Sequence, residues 1–254
     1  MRLLVTGVSG YVGAALVPRL HAAGHEVRGF ARSRERVAAA GIALDDVVLG
    51  DAISGAGLGR ALDGIDAAYY LIHSMEGPAN TGFPDQERRA AERFATAARA
   101  AGVRRVIYLG GLVPQDHSLA SRHLASRLAV EHALLDGADE PIALRASIVI
   151  GARSRSFRFL VRLIERLPVL ALPAWRHNRT RPIDGRDVLA YLTAAAVAGE
   201  DPALIAPLME GLEHDLLPRD DAAAPAFGIR LHSFDAAVER ALRDWELTEE
   251  VAAR

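Results

Sequence analysis

A doubly wound parallel α/β sheet is the fold class this chain predicts, and three observations predict it. A glycine triplet at GxxGxxG spacing, Thr6-Gly7-Val8-Ser9-Gly10-Tyr11-Val12-Gly13, follows directly on the apolar run Leu3-Leu4-Val5. From residue 1 to about 150, short β-rich runs alternate with longer amphipathic stretches, the pattern of a parallel sheet covered on both faces. The long amphipathic stretches are followed by glycines, Gly24, Gly102 and Gly137, which suit helix C-termini.

The first run, Arg2–Thr6, is the opening strand. The triplet after it has the form of a strand turning sharply into a helix whose exposed backbone N–H groups hold a pyrophosphate. One glycine permits the tight turn, one lets phosphates approach the backbone, and one lets the helix pack on the strand. That helix covers residues 12–23, and Pro18 should kink it or force a local adjustment. Further strands are expected at Glu26–Ala31, 46–49, 67–71, 105–109 and 142–148. Helices are expected at 84–101 and 121–135, with a short helical piece at 60–62 before Gly64.

After Gly151 the alternation ends. An amphipathic helix carrying Phe157, Leu160, Val161, Ile164 and Leu167 precedes a Pro- and Arg-rich loop over residues 168–182. Asp187 is expected to cap a helix running to about residue 198. Ser233 is expected to cap a terminal helix that carries Ala237, Ala241, Leu242 and Trp245. The organisation is therefore a dinucleotide-binding domain over residues 1–150 and a small, mainly helical substrate region or lid over 151–254.

Bulk properties narrow the function classes. At 254 residues, half of them hydrophobic, the chain can bury a large core. It has no cysteine, which excludes disulfides, thiolate metal sites and a catalytic thiol and fits a reducing cytoplasm. Apolar stretches are broken by Arg, His or Glu well before the length of about 20 residues that a membrane span needs. Thirty basic and 32 acidic side chains give a net charge of −2, which offers no global attraction to nucleic acid. The histidines show no recognised ligand spacing, so no metal is expected.

The cofactor residues follow the sheet. Gly7, Ser9, Gly10, Tyr11, Val12 and Gly13 form the phosphate turn. Enzymes that prefer NAD usually carry an acid at the end of the second strand, to accept from the adenosine ribose. Here the strand runs into Arg32-Ser33-Arg34, two guanidinium groups and a hydroxyl that suit the 2′-phosphate of NADP(H). The alternative is a solvated basic loop. Asp51, followed by Ala52, ends the third strand and can accept from the adenine amino group or cap the next turn. Leu71, Ile72 and His73 after the fourth strand, Leu109, Gly110 and Gly111 at the fifth, and Ala146, Ser147 and Ile148 at the sixth complete the cofactor edge.

These marks come in order: residues 6–13, Arg32-Ser33, Gly50-Asp51, the YYLIHSM run 69–75, the GVRRVIYLGG run 102–111 and the LRASIVIG run 144–151. With them the chain resembles the short-chain dehydrogenase/reductase superfamily, in particular its atypical NAD(P)H-binding branch related to NmrA-like and epimerase/dehydratase-like proteins. The resemblance implies a Rossmann fold, with the cofactor across the carboxyl ends of the strands and a substrate pocket roofed by the last hundred residues or so. Most members pair a Ser or Thr at the end of the fifth strand with a Tyr about 13 positions later and a Lys four beyond it. In this chain the serine position falls at Gly110 or Gly111, and the Tyr and Lys positions hold His123 and Arg127. One helical turn separates them, so a proton donor beside a cation is retained with other chemistry. The competing reading makes His123 an ordinary surface histidine.

Ser74, beside His73, stands at the edge where nicotinamide should lie and is a further catalytic candidate, or a structural cap. Met75, His117, Phe157, Trp175 and Arg181 are the substrate candidates, with Trp175 in a Pro-bounded loop placed to close over a ligand. Arginines at 153, 155, 158 and 162 and over 176–181, with aromatic residues interspersed, fit a lid over an aromatic or acidic substrate, a solvated face or a partner patch. The expectation is an NADPH-dependent ketoreductase, monomeric or homodimeric, for a small apolar and aromatic carbonyl compound. Ketoreductases of aromatic polyketides, including angucyclinone-type compounds, are the precedent among relatives lacking Tyr and Lys. A non-catalytic NADP(H) sensor of NmrA type is the alternative, and reduction of a quinone or activated alkene a third.

Overall fold

The computed structural model describes residues 1–73, 83–113, 122–166, 180–197, 225 and 228–248. Six parallel strands, β1 (Arg2–Thr6), β2 (Glu26–Ala31), β3 (Val47–Leu49), β4 (Ala67–Tyr70), β5 (Arg105–Gly111) and β6 (Glu140–Ala146), form one sheet in the order β3-β2-β1-β4-β5-β6. Between them run α1 (Tyr11–Ala22), α2 (Arg34–Ala39), α3 (Leu58–Leu62), α4 (Phe83–Ala100) and α5 (Arg122–Leu135). The order reverses at β1, which pairs with β2 on one side and β4 on the other. In an open parallel sheet that reversal leaves a crevice at the carboxyl ends of the strands, where ligands bind.

Strand alternation splits the core into two layers. Leu3, Val5 and Tyr69 join Leu16, Val17 and Leu20 of α1 on one face. Leu4, Ala68, Tyr70 and Tyr108 join Phe94 of α4 and Leu134 of α5 on the other. Beyond β6 come a short parallel pair, β7 (Val149–Ile150) with β8 (Ile183–Asp184), and the helices α6 (Arg155–Arg166), α7 (Gly185–Ala195) and α8 (Phe234–Thr248). Ile150, Phe157, Ala237 and Ala241 form a third cluster that ties α6 and α8 to β7.

Helix α7 packs on α1 and so returns to the face of the large sheet. Two buried polar contacts hold it there. The Tyr69 hydroxyl donates to the Leu192 carbonyl at 2.8 Å. The buried Arg105 guanidinium donates to the carbonyls of Ala195 (3.1 Å) and Ala196 (2.7 Å), satisfying acceptors that a helix C-terminus leaves open, and pairs with Glu140.

Several sequence expectations change in detail. The strand expected over 142–148 is β6 and ends at Ala146, where the chain leaves the large sheet; β7 follows at Val149–Ile150 and pairs with β8. The kink or local adjustment expected at Pro18 leaves α1 helical from Tyr11 to Ala22; the proline lies on the exposed side, while Leu16, Val17 and Leu20 anchor the helix in the core. Asp187 is not the cap of α7. Strand pairing extends through Asp184, so the helix begins at Gly185 and Asp184 caps it, its side chain accepting from the Arg186 N–H at 2.7 Å. Asp187 then falls in the first turn, where its carboxylate takes the backbone N–H (3.0 Å) and Nδ1 (2.6 Å) of His232. Ser233 caps α8, accepting from the Ala236 N–H at 3.3 Å.

Replacing Tyr69→Phe leaves the Leu192 carbonyl buried without its donor. Urea denaturation should show a loss of about 1–2 kcal/mol; an unchanged midpoint would mean that this bond does not hold α7 to the sheet.

Candidate active site

The glycine turn has no room for side chains at two points. Gly7 has φ +64°, and a Cβ there would lie 2.6 Å from the Leu71 carbonyl oxygen. A Cβ on Gly13 would lie 2.5 Å from the Gly7 oxygen. The Thr6 hydroxyl ties the same crossing together, donating to the Tyr69 carbonyl at 3.0 Å and accepting from the Leu71 N–H at 3.1 Å. Helix α1 starts at Gly10 with no side-chain cap and no acid in its first turn. Its first N–H groups and positive dipole end therefore face the crevice, and the glycine cradle fits a pyrophosphate.

At the ribose end Arg32 and Arg34 are exposed. Ser33 is engaged: it caps α2, accepting from the Arg36 N–H at 3.2 Å, and donates to the Glu35 carboxylate at 2.5 Å. That hydrogen bond is the main cause holding the Glu35 carboxyl below the usual range. Asp51 caps its own turn, Oδ1 accepting from the N–H groups of Ile53 (2.6 Å) and Ser54 (3.2 Å), and Ala52 is buried.

The edge where the nicotinamide is expected holds a cluster, of which sequence reading named Arg127 and His73 but not their partners. Arg127 and Glu87 are both buried, with side-chain exposures of 5% and 6%, and pair at 2.8 Å. The second Glu87 oxygen accepts from the Ser126 hydroxyl at 2.8 Å. The Tyr108 hydroxyl reaches the Arg127 carbonyl at 3.4 Å, and the other arm of Arg127 lies 2.6 Å from His73 Nδ1. Burial raises the Tyr70 and Tyr108 hydroxyls well above the usual phenol range. Leu71 is buried, Ile72 half-buried and His73 exposed. Leu109 is buried, and Gly110 and Gly111 end β5 half-buried beside these residues. Position 123 lies in the first turn of α5; the side chain of His123, like Ser74, Met75, His117 and Trp175, lies outside the described residues.

The C-terminal region meets the glycine turn through Tyr11, one of the expected cofactor residues. Its hydroxyl fills the space beside Gly151 and Gly185: a Cβ would come within 1.9 Å of it at the first and 2.2 Å at the second. Burial raises its pKa, and the Arg240 charge opposes that rise. Behind it the Asp184 side chain, fully buried, pairs with Arg186 (2.8 Å) and Arg240 (2.7 Å). Burial alone would raise the Asp184 carboxyl, but hydrogen bonds from Arg186 and the charge of Arg240 outweigh it, and the net direction is down. Ser147 bonds Thr180 through the hydroxyls, the Ile148 carbonyl accepts from Ile183, and Ala146 is buried at the end of β6.

Phe157, expected to touch substrate, is 7% exposed and packs in the core of this region. Phe159, two positions on, is 63% exposed and lines a groove of about 590 Å³ with Arg153, Arg155, Arg158, Arg162, Leu163 and Arg166. Arg158 and Arg162 lie over the Trp245 ring at 4.9 and 5.7 Å. Arg181 is exposed on the strand of chain leading to β8. Glu87, Asp184 and Arg240 escaped the sequence reading because each partner is distant in the chain, at separations of 40 residues for Glu87 and Arg127 and 56 for Asp184 and Arg240. Only the Asp-Gly-Arg run 184–186 at the start of α7 carried a local signal, that of a capping acid.

Gly7→Ala should lower the thermal midpoint and weaken NAD(P)H binding about tenfold or more, because the added methyl meets the Leu71 carbonyl; fluorescence titration with full affinity would refute the cradle. A carboxyl depressed in the fold stabilises above its unfolded pKa, and that contribution is lost as pH falls through the folded value. Asp184 should therefore contribute to acid unfolding below about pH 4, and Asp184→Asn should flatten that part of the stability–pH curve measured by denaturant titration.

Comparisons with known proteins agree with this geometry. Residues 7–147 match the family described as NAD(P)H-binding. A (4-alkanoyl-5-oxo-2,5-dihydrofuran-3-yl)methyl phosphate reductase of Streptomyces griseus is 36% identical over 114 residues, 45% of this chain and 36% of the reductase. Sterol demethylase protein B of Methylococcus capsulatus is 34% identical over 127 residues, 46% of this chain and 38% of that protein. The matches thus span under two fifths of these relatives' own lengths. Among solved structures, a short-chain dehydrogenase/reductase superfamily protein of Agrobacterium tumefaciens with bound NAD superposes with TM-score 0.71 at 22% identity, covering all of both chains. The dTDP-glucose 4,6-dehydratase DesIV of Streptomyces venezuelae, with NAD bound, gives 0.70 at 18% identity over 98% of each chain. The glycine cradle at the β1 switch point and the match over residues 7–147 place this chain in the NAD(P)H-binding family of the short-chain dehydrogenase/reductase fold.

Proposed function

We propose that this chain is an NADPH-dependent ketoreductase acting on a small apolar, aromatic carbonyl compound. The observation that carries the reading is the cradle formed where Gly7 passes under the Leu71 carbonyl, with an uncapped α1 above it. The choice of NADPH rests on Arg32 and Arg34 standing exposed just past β2, where no acid ends the strand to take the ribose hydroxyls. Glu35 is drawn to Ser33, so the site offers two guanidinium groups to a 2′-phosphate and not three polar side chains.

The bound cofactor supplies the hydride, and the protein supplies orientation and electrostatics. Gly7, Gly10 and Gly13 seat the pyrophosphate. Leu71, Ile72, Gly110 and Gly111 flank the nicotinamide end of the crevice. The substrate side is the region beyond β6, where Phe159 and the α6 arginines present an aromatic and cationic wall. The proton at the product oxygen comes from His123, from ordered water or from a hydroxyl of the substrate. Support for reduction also comes from two relatives, the furanone phosphate reductase and a 3-beta-hydroxysteroid dehydrogenase of Mycolicibacterium neoaurum. In this reading the enzyme works in the cytoplasm, as monomer or homodimer, on a polyketide-like ketone of an antibiotic pathway.

One observation favours a second reading. Arg127, in the position of the family's lysine, is committed to a buried ion pair, as suits a redox sensor of NmrA type that binds NADP(H) without turnover. Titration with NADPH and NADH, followed by a panel of aromatic ketones and quinones, separates the two. Ketone-dependent oxidation of NADPH supports the reductase; tight binding with no turnover supports the sensor. The double variant Arg32→Ala/Arg34→Ala should weaken NADPH by about 10- to 100-fold, the scale of one or two charge-assisted hydrogen bonds, and leave NADH unchanged. Equal loss for both cofactors would remove the argument for NADPH.

A further inference from the structure

We propose that Glu35 is a specificity-determining residue of the cofactor site: fixed by the Ser33 hydroxyl, its carboxylate opposes the 2′-phosphate and weakens NADPH relative to NADH. The proposal rests on the reading that Arg32 and Arg34 face that phosphate, and it names the group that limits their effect.

A serine hydroxyl has one hydrogen and two lone pairs. Ser33, extended at φ −148° and ψ 131°, accepts from the Arg36 N–H at 3.2 Å, and that bond caps α2. Its single hydrogen goes to a Glu35 carboxylate oxygen at 2.5 Å. The cap pins the hydroxyl, and the hydroxyl in turn fixes a carboxylate that belongs to an exposed residue and would otherwise range over several rotamers. The Ser33 hydroxyl first, and then Glu35's own backbone N–H, hold the carboxyl below its usual range, so it is fully charged at neutral pH. The Arg34 charge adds a smaller pull in the same direction.

Arg32 and Arg34 are exposed, and among the described residues the Glu35 carboxylate is hydrogen-bonded to Ser33 and to neither guanidinium. Residues 32–35 thus set two cations and one fixed anion on consecutive positions just past β2, which ends at Ala31. A phosphate monoester carries close to two negative charges at pH 7. It gains from both guanidinium forks and is repelled by the carboxylate. Ser33 can donate to it only by leaving Glu35. The free 2′-hydroxyl of NADH has no charge and meets neither effect.

In NAD enzymes the acid that accepts from the ribose hydroxyls stands at the end of the second strand. Glu35 stands elsewhere, four positions past Ala31 and within α2, with its direction set by Ser33. Its part is exclusion by like charge, the repulsive half of a discrimination whose attractive half is the arginine pair.

The test is fluorescence titration with NADPH and with NADH of the full-length protein and of Glu35→Gln, in about 25 mM and about 500 mM KCl. Glutamine keeps a carbonyl oxygen for the Ser33 hydroxyl and removes the charge. At low salt Glu35→Gln should bind NADPH about 3- to 10-fold more tightly, the scale of one charge facing a doubly charged group through water. NADH should stay within about twofold of the parent protein. At high salt the gain should fall below about twofold, because screening reaches an exposed pair. A change in folding alone moves both cofactors together and ignores salt.

An unchanged NADPH affinity, a gain shared equally by NADH, or a gain that survives high salt overturns the proposal. So does a loss confined to NADH, which makes Glu35 a ribose acceptor. Titrating Arg32→Ala/Arg34→Ala alongside keeps the two claims apart. If that variant loses NADPH affinity while Glu35→Gln gains none, the NADPH reading stands and the role of Glu35 falls. If the parent protein takes NADH alone and Glu35→Gln gains NADPH, the preference for NADPH falls and Glu35 stands as the group that excludes it.

Discussion

The passage of Gly7 beneath the Leu71 carbonyl is the constraint on which the site depends. The two strands that part at the switch point are held at their carboxyl ends by one threonine hydroxyl, which spans from the Tyr69 carbonyl to the Leu71 N–H. The turn from β1 into α1 must fit in what remains, with φ positive at Gly7 and the helix seated on the strand through Gly13. Close packing of backbone on backbone leaves no slack to absorb a methyl group. The phosphate cradle is therefore a consequence of how closely β1, β4 and α1 approach, and the hydrophobic layers on either side maintain that approach.

Around this centre several buried charges of the described residues stand in pairs. Arg105 closes the end of α7, the Arg145 fork meets Glu131 across α5 and β6, Asp184 starts α7 between two arginines, and Arg127 bridges Glu87 and His73. Buried pairs of this kind add little net stability, since desolvation offsets attraction, but each has a definite geometry.

Much of the architecture was legible in the sequence because periodicity reports it directly. The strands at Arg2–Thr6 and Glu26–Ala31, the helix over α4 and the glycine turn all rest on local patterns. A parallel sheet covered on both faces followed from the alternation of strands with helices, and the Rossmann fold from the resemblance. Errors arose where tertiary contacts decide between equal local options. Asp184 and Asp187 are both acids able to cap α7, and only the pairing of Ile150 with Asp184 selects the first. Phe157 stands on the apolar face of its helix and was expected to touch substrate, yet the meeting of α6 with α8 buries it and leaves Phe159 exposed. Ser33 looked like a phosphate ligand because nothing in its composition reveals that Glu35 takes its hydroxyl. Arg127 could be placed one helical turn after His123 by counting, but its partners come from α4 and the end of β4, and counting does not reach them.

Tyr11 belongs at once to the first turn of the phosphate-facing helix and to the surface on which the last third of the chain rests. Its hydroxyl occupies space that Gly151 and Gly185 leave vacant, and Asp184, fixed by two arginines, stands behind it. A small rotation of α1 as its N-terminus takes up a phosphate would press that hydroxyl against two backbones with no side chains to yield. Strands β7 and β8 would have to travel with it as one body. The chain thus carries a rigid gauge between its glycine turn and the β7–β8 pair, set by the length of a single tyrosine.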